Sequence, residues 1–121
     1  MKHAGSFRPL RVGEMIRSVL IKLINQGKAQ DIRIFNTNLT ITKVEMSPDL
    51  KIAKCYVMPF ASKISPEELM DAFEKSKAHL RMLVTDRIKL KNSPELRFYL
   101  DQGEKNAEIV DEILQKMAIA K

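Results

Sequence analysis

Two histidines, His3 and His79, and one cysteine, Cys55, are all that this chain of 121 residues offers toward metal binding or thiol chemistry. A zinc site needs three or four Cys, His or carboxylate ligands at short spacings, and a cysteine nucleophile needs a histidine held beside it. Neither spacing occurs. The phosphate-cradling patterns GxxxxGK[ST] and GxGxxG are also missing, and Gly5, Gly13, Gly27 and Gly103 are scattered. The carboxylate pairs Glu67–Glu68 and Asp111–Glu112 lie in amphipathic stretches, where a solvated face explains them better than an acid/base pair does. The expectation is a non-enzyme with no catalytic residue, no metal and no cofactor.

The chemistry that remains is that of the bases. In "PEELMDAFEKSKAHLRMLVTDRIKLK", residues 66–91, Glu67, Glu68, Asp71 and Glu74 come first. From there Lys75, Lys77, Arg81, Arg87, Lys89 and Lys91 face only Asp86. Carboxylates at a helix start and bases at its end suit the helix dipole, but that effect fades within a turn and leaves Lys77 and Arg81 unexplained. Residues 1–63 hold 11 bases against 4 acids (+7), residues 64–91 add +1, and residues 92–121 carry −2, giving the net +6. With a pI near 9.6, charge gathered in segments points to a polyanion such as nucleic acid, and a solvated basic face is the competing reading.

The elements that position these bases follow from hydrophobic spacing. Val12, Met15, Ile16, Val19, Leu20, Leu23 and Ile24 recur at three and four, one face of a helix that Gly27 stops. "LTITKVEM" and "IAKCYVMPF" read as strands of a hairpin turned by "SPDLK", the second strand apolar on both faces. Ser65-Pro66-Glu67-Glu68 is a capping box that opens a long helix. "ELRFYL" alternates as a strand that buries Leu96 and Phe98, and residues 104–119 read as a last amphipathic helix, with Asp101 and Glu104 as its cap. The order is α, β, β, long α, β, α in one α+β domain with three strands, preceded by a basic N-terminal arm over residues 1–10. Tyr56 and Phe60 are expected in the core. A single cysteine and the lack of an 18-residue apolar run predict a reduced, cytoplasmic protein that does not span a membrane.

This order with net positive charge resembles the type II KH fold, a nucleic-acid-binding architecture. More specifically, "RVGEMIRSVL", "SPDLKIAKCYV", "HLRMLVTDRIKLK" and "PELRFYLD" resemble, in that order, the ribosome-binding factor A family, from about Arg8 to about Leu114. The resemblance implies a KH-like domain, α-β-β-α-kink-α-β, that acts as an assembly factor without catalysing a reaction. Its partners would be the 30S small subunit and 16S rRNA, whose late maturation it would promote, and it would be a monomer when free. A permanent structural ribosomal protein is the alternative. The family's interhelical kink, an Ala-x-Gly pattern, aligns with Ser76-Lys77-Ala78, although the apolar stripe Leu69, Phe73, Ser76, Leu80 and Val84 by itself predicts an unbroken helix. On this reading Lys75, Lys77, Arg81, Arg87, Lys89 and Lys91 bind rRNA phosphates. Arg81 has a salt bridge to Glu74 or Asp86 as its other reading. Arg8, Arg11 and Arg17 either extend that surface or flank it. The family's usual Asp-Pro-Arg before the first strand is Asp31-Ile32-Arg33 here.

Overall fold

A computed structural model describes residues 2–101, with side chains from Phe7 onward. The helix expected at 104–119 and its cap with Glu104 lie outside the described residues. Helix α1 (Lys2–Asn25) is followed by a short α2 (Ile32–Phe35), strands β1 (Leu39–Met46) and β2 (Ile52–Pro59), the long α3 (Pro66–Ile88) and strand β3 (Glu95–Leu100). The three strands form one sheet in the order β1-β2-β3. β1 and β2 are antiparallel, whereas α3 carries the chain across so that β3 runs parallel to β2.

α1 buries Ile16, Leu20 and Leu23 completely, with Val12 and Ile24 nearly so, but of the face its spacing predicted Val19 is only half-buried and Met15 is exposed, because the sheet covers a narrower arc of the helix. It ends where Gly27 takes φ +73°, with the Gly27 N–H donating to the Ile24 carbonyl and the Lys28 N–H to that of Leu23. This is the glycine-closed helix end that satisfies the last carbonyls. At its other end α1 begins at Lys2, so most of the residues read as an arm are helical even though Pro9 lies among them. Gly13 brings α1 close to the sheet: a Cβ there would stand 2.5 Å from the carbonyl oxygen of Val44 on β1.

β2 is the central strand. Ala53, Cys55 and Val57 are buried under the helices, while Tyr56 and Met58 are half-buried on the opposite face, so both faces are apolar as the pattern implied. Burial pushes the Cys55 thiol up to about 12, which leaves it inert. Tyr56 stacks at 5.6 Å on Tyr99, and Phe60 is 52% exposed, so neither aromatic belongs to the core. Leu96 is buried, but Phe98 is only half-buried, its ring 4.7 Å from that of the fully buried Phe73 on α3. The register of β1 slips between Ile41 and Lys43, and the Thr42 hydroxyl freed there donates to the Asp101 carboxylate at 2.6 Å, past the end of β3.

Ser65 caps α3 by accepting the Glu68 N–H at 3.1 Å, and Pro66 occupies the first turn. Ser76, Lys77 and Ala78, expected at a junction between two helices, sit inside one uninterrupted helix. The stripe Leu69, Phe73, Ser76, Leu80 and Val84 is buried throughout, so packing favours continuity, and Ala78 on the outer face is exposed. Ser76 accepts the backbone N–H of Asp31 at 3.2 Å and thereby ties the α1–α2 loop to α3.

α2 has no counterpart among the expected elements. Asp31 caps it with extended backbone (φ −93°, ψ 125°) and accepts the Arg33 N–H at 3.0 Å. Ile32 is therefore at the first helical position, 65% exposed, after a residue whose backbone suits a following proline. Ile32→Pro is expected to raise stability by about 0.4–1 kcal/mol, chiefly by restricting the unfolded chain. A lowered melting temperature in a calorimetric scan would show that the loop does not hold this geometry.

Candidate nucleic-acid interface

The bases singled out by sequence fall into two groups, distinguished by whether the fold already employs them. Lys75 pairs with Asp71 at 3.2 Å and Lys77 with Glu74 at 2.7 Å, each across one turn of α3. Arg81 bonds to neither Glu74 nor Asp86. Its Nε donates to the Ser93 hydroxyl at 3.0 Å and a terminal nitrogen to the Ser93 carbonyl at 2.7 Å. Because Ser93 also meets the Thr85 hydroxyl at 2.6 Å, Arg81 staples the turn before β3 onto α3. Arg17 is half-buried, donating to the Ile41 carbonyl of β1 at 2.8 Å and pairing with Glu14 at 3.5 Å. These four have protein partners, although surface ion pairs such as those of Lys75 and Lys77 are weak enough to exchange for a phosphate.

Arg8, Arg11, Arg87, Lys89 and Lys91 are exposed, and none has an ion-pair partner among the described residues. The first part of α1 and the end of α3 bring them together. Arg8 and Lys91 line one cleft with Val12, Asp49, Leu50, Leu90 and Asn92. Arg11 and Arg87 line a neighbouring groove between the two helices. Lys89 terminates α3 in the left-handed conformation (φ 63°, ψ 44°), its N–H donating to the Thr85 carbonyl at 2.8 Å. Glycine is the residue that tolerates this backbone best, so a lysine here bears a conformational cost and sets a cation beside the negative end of the helix dipole.

The acidic half of α3 is engaged separately, by a residue that sequence spacing did not single out. Arg33 of α2 grips both oxygens of Asp31, at 2.9 and 2.7 Å, and reaches Asp71 at 3.1 Å. The guanidinium holds the Asp31 carboxyl down at about 2 and lowers that of Asp71 as well. Asp31, Arg33, Asp71 and Lys75 thus form a clamp between α2 and α3. The only advance signal was Asp31-Ile32-Arg33 itself. His79 is half-buried on α3. No helix of the described residues is long and apolar enough to cross a membrane.

The family model for ribosome-binding factor A matches residues 8–114. The curated ribosome-binding factor A of Rickettsia prowazekii (strain Madrid E) is 44% identical over 111 residues, 92% of this chain and 87% of that protein. The crystal structure of ribosome-binding factor A from Thermus thermophilus superposes with a TM-score of 0.63 at 21% identity, over 76% of this chain and 94% of that one. A homology model of the Thermus thermophilus factor, as fitted into the cryo-EM map of its complex with 30S, gives a TM-score of 0.53 at 20% identity, over 70% and 90% of the two chains. At these identities the two structural likenesses bear on fold alone.

Proposed function

The chain belongs to the ribosome-binding factor A family, and on that premise we propose that it binds the 30S subunit through 16S rRNA and promotes late maturation without catalysing a reaction. It acts as a single KH-like domain, a monomer when free, in the cytoplasm. Membership of a family named for ribosome binding supports the subunit as its partner. The observation that carries the RNA reading is the gathering of bases without ion-pair partners among the described residues, where α1 meets the end of α3. Arg8, Lys89 and Lys91 are the proposed phosphate contacts. Lys75, Lys77, Arg81 and Arg17 serve first to hold the scaffold that presents them.

Phosphate contacts release counterions, so each one lost flattens the plot of log K against log salt by a little under one unit, about 0.7–0.9. Replacing Arg8, Lys89 and Lys91 together by alanine is expected to weaken binding to purified 30S subunits and to lower that slope by about two units or more. The paired set Lys75 and Lys77 should have a smaller effect. Lys89→Gly separates binding from folding: it removes the cation while giving the left-handed position a residue that accepts it, so the unfolding midpoint should hold or rise as affinity falls. Equal losses from both sets would show that binding follows net charge only, and the proposed contact set would be wrong.

A further inference from the structure

Two phenylalanine rings lie in solvent at the end of the β1–β2 hairpin away from its turn. Phe35, the last residue of α2, is 55% exposed, and Phe60, one residue past β2, is 52% exposed. Neither ring contacts another aromatic ring among the described residues. The Phe60 N–H donates to the Asn38 carbonyl at 2.9 Å, which continues the pairing of β1 and β2 by one bond. Phe35 lies against the end of α1, where a Cβ on Gly27 would approach its ring to 3.1 Å. Both side chains border one cleft of about 240 Å³, floored by Ile24, Ile34 and Leu39. That is smaller than the roughly 300–1,000 Å³ of sites for drug-sized ligands and suits a single planar ring. The rim is polar: the side-chain amides of Asn25 and Asn38 are exposed and have no hydrogen-bond partner among the described residues. Thr37 donates its hydroxyl to the Arg33 carbonyl at 2.7 Å and keeps its lone pairs for an incoming donor. No acid lines the cleft. Lys28, next to Gly27, and Lys63, three residues past Phe60, are exposed and have no ion-pair partner among the described residues.

We infer that this cleft takes one unpaired base of single-stranded RNA, stacked on Phe35 and Phe60 with its edge bonded to the amides of Asn25 and Asn38. Sequence-specific RNA recognition works on bases freed from pairing, which stack on aromatic faces and bond along their edges. A side-chain amide offers both a donor and an acceptor, which is what the edge of a base requires. Lys28 and Lys63 would face the phosphates on either side of the base. An aliphatic side chain, whether from a protein partner or from this chain's own residues 104–119, which contain no aromatic residue, would cover the floor and satisfy neither amide. The inference rests on the RNA reading above and adds a base contact to its phosphate contacts.

The test titrates the isotope-labelled full chain with homopolymeric RNA strands of about four nucleotides, and with an abasic strand of the same length and phosphate charge. Saturable shifts in the side-chain NH2 signals of Asn25 and Asn38 and in the ring signals of Phe35 and Phe60 are expected with at least one of the four bases. The abasic strand should bind at least about fivefold more weakly. Phe60→Leu keeps the apolar bulk and removes the aromatic face, so it should weaken binding about five- to 150-fold, whereas Phe60→Tyr should retain it. Neither variant alters a charge, so the slope of log K against log salt should stay at the parent value in both. On 30S subunits, a loss of affinity on replacing Arg8, Lys89 and Lys91 but none with Phe60→Leu would overturn the base site alone. No loss from either would overturn the RNA reading with it. An abasic strand that binds as tightly as the others, or shifts confined to residues away from the cleft, would also overturn the inference. So would nuclear Overhauser contacts in the free full chain between methyl groups of residues 104–119 and the rings of Phe35 and Phe60, since these would assign the cleft to the chain's own C-terminal stretch.

Discussion

Phe73→Ala is expected to lower the unfolding free energy by about 3–5 kcal/mol, the range for deleting a fully buried aromatic. Phe73 is on the inner face of α3, with Leu69, Ala72 and Leu80 of the same helix also fully buried, and its ring abuts that of Phe98 on β3. Both α3 and β3 are tied into the sheet, so neither can collapse far into the space an alanine would leave. Phe98→Ala should cost less, because Phe98 is half-buried and water already reaches part of it. Urea unfolding of the two variants, with the denaturant slope unchanged, reads both values. A loss under about 1 kcal/mol at Phe73 would mean that α3 is not seated on the sheet as described.

Gly13→Ala is expected to destabilise the protein by about 1–3 kcal/mol, although helix propensity alone predicts a gain of about 1 kcal/mol. The two effects have opposite sign, so the measured sign decides between them. The new Cβ would lie 2.5 Å from the Val44 carbonyl oxygen, inside any tolerable contact, and the obstacle is backbone instead of a side chain that could swing away. Relief requires α1 to lift from β1, which would loosen the contacts of Ile16 and Leu20 and the bond from Arg17 to the Ile41 carbonyl. If the melting temperature rose instead, the close approach of α1 to the sheet would be refuted.

The parts of this fold that were legible in the sequence are those encoded by local pattern. β1 and β2 lie where β-branched and aromatic content around a turn placed them, β3 lies where alternation did, and Ser65 caps α3 through the interaction that the Ser-Pro-Glu-Glu spacing implies. The apolar stripe of α3 also predicted the single helix observed; the interhelical kink at Ser76–Ala78 was implied by a family pattern whose two small residues this chain replaces with others that are also small. What the sequence hid depends on partners distant along the chain. Arg81 finds Ser93 twelve residues on, and Arg17 finds Ile41 twenty-four residues on, while spacing arguments search only three and four residues away. α2 is a single turn, too short for periodicity to register, and rests on Asp31, Arg33 and their grip on Asp71. Gly5 and Pro9 interrupt the pattern of α1, so its first turns read as an arm.

For the candidate site, charge alone located the basic region but could not divide it. Lys77, Arg81 and Lys89 look alike in sequence, yet one is paired with an acid, one staples a turn and one has no ion pair among the described residues. The fold makes that division, and with it a narrower contact set than the charge run suggested.

Site-directed crosslinking to purified 30S subunits tests the central claim most directly. A photoreactive amino acid placed in turn at Arg8, Lys89 and Lys91 should crosslink to 16S rRNA, with the modified nucleotides from the three positions close together in the subunit. The same group at Glu68, at the opposite end of α3, should give few rRNA adducts or none. Crosslinks from Glu68 equal to those from Lys89 and Lys91, or rRNA adducts from none of the basic positions, would contradict the account.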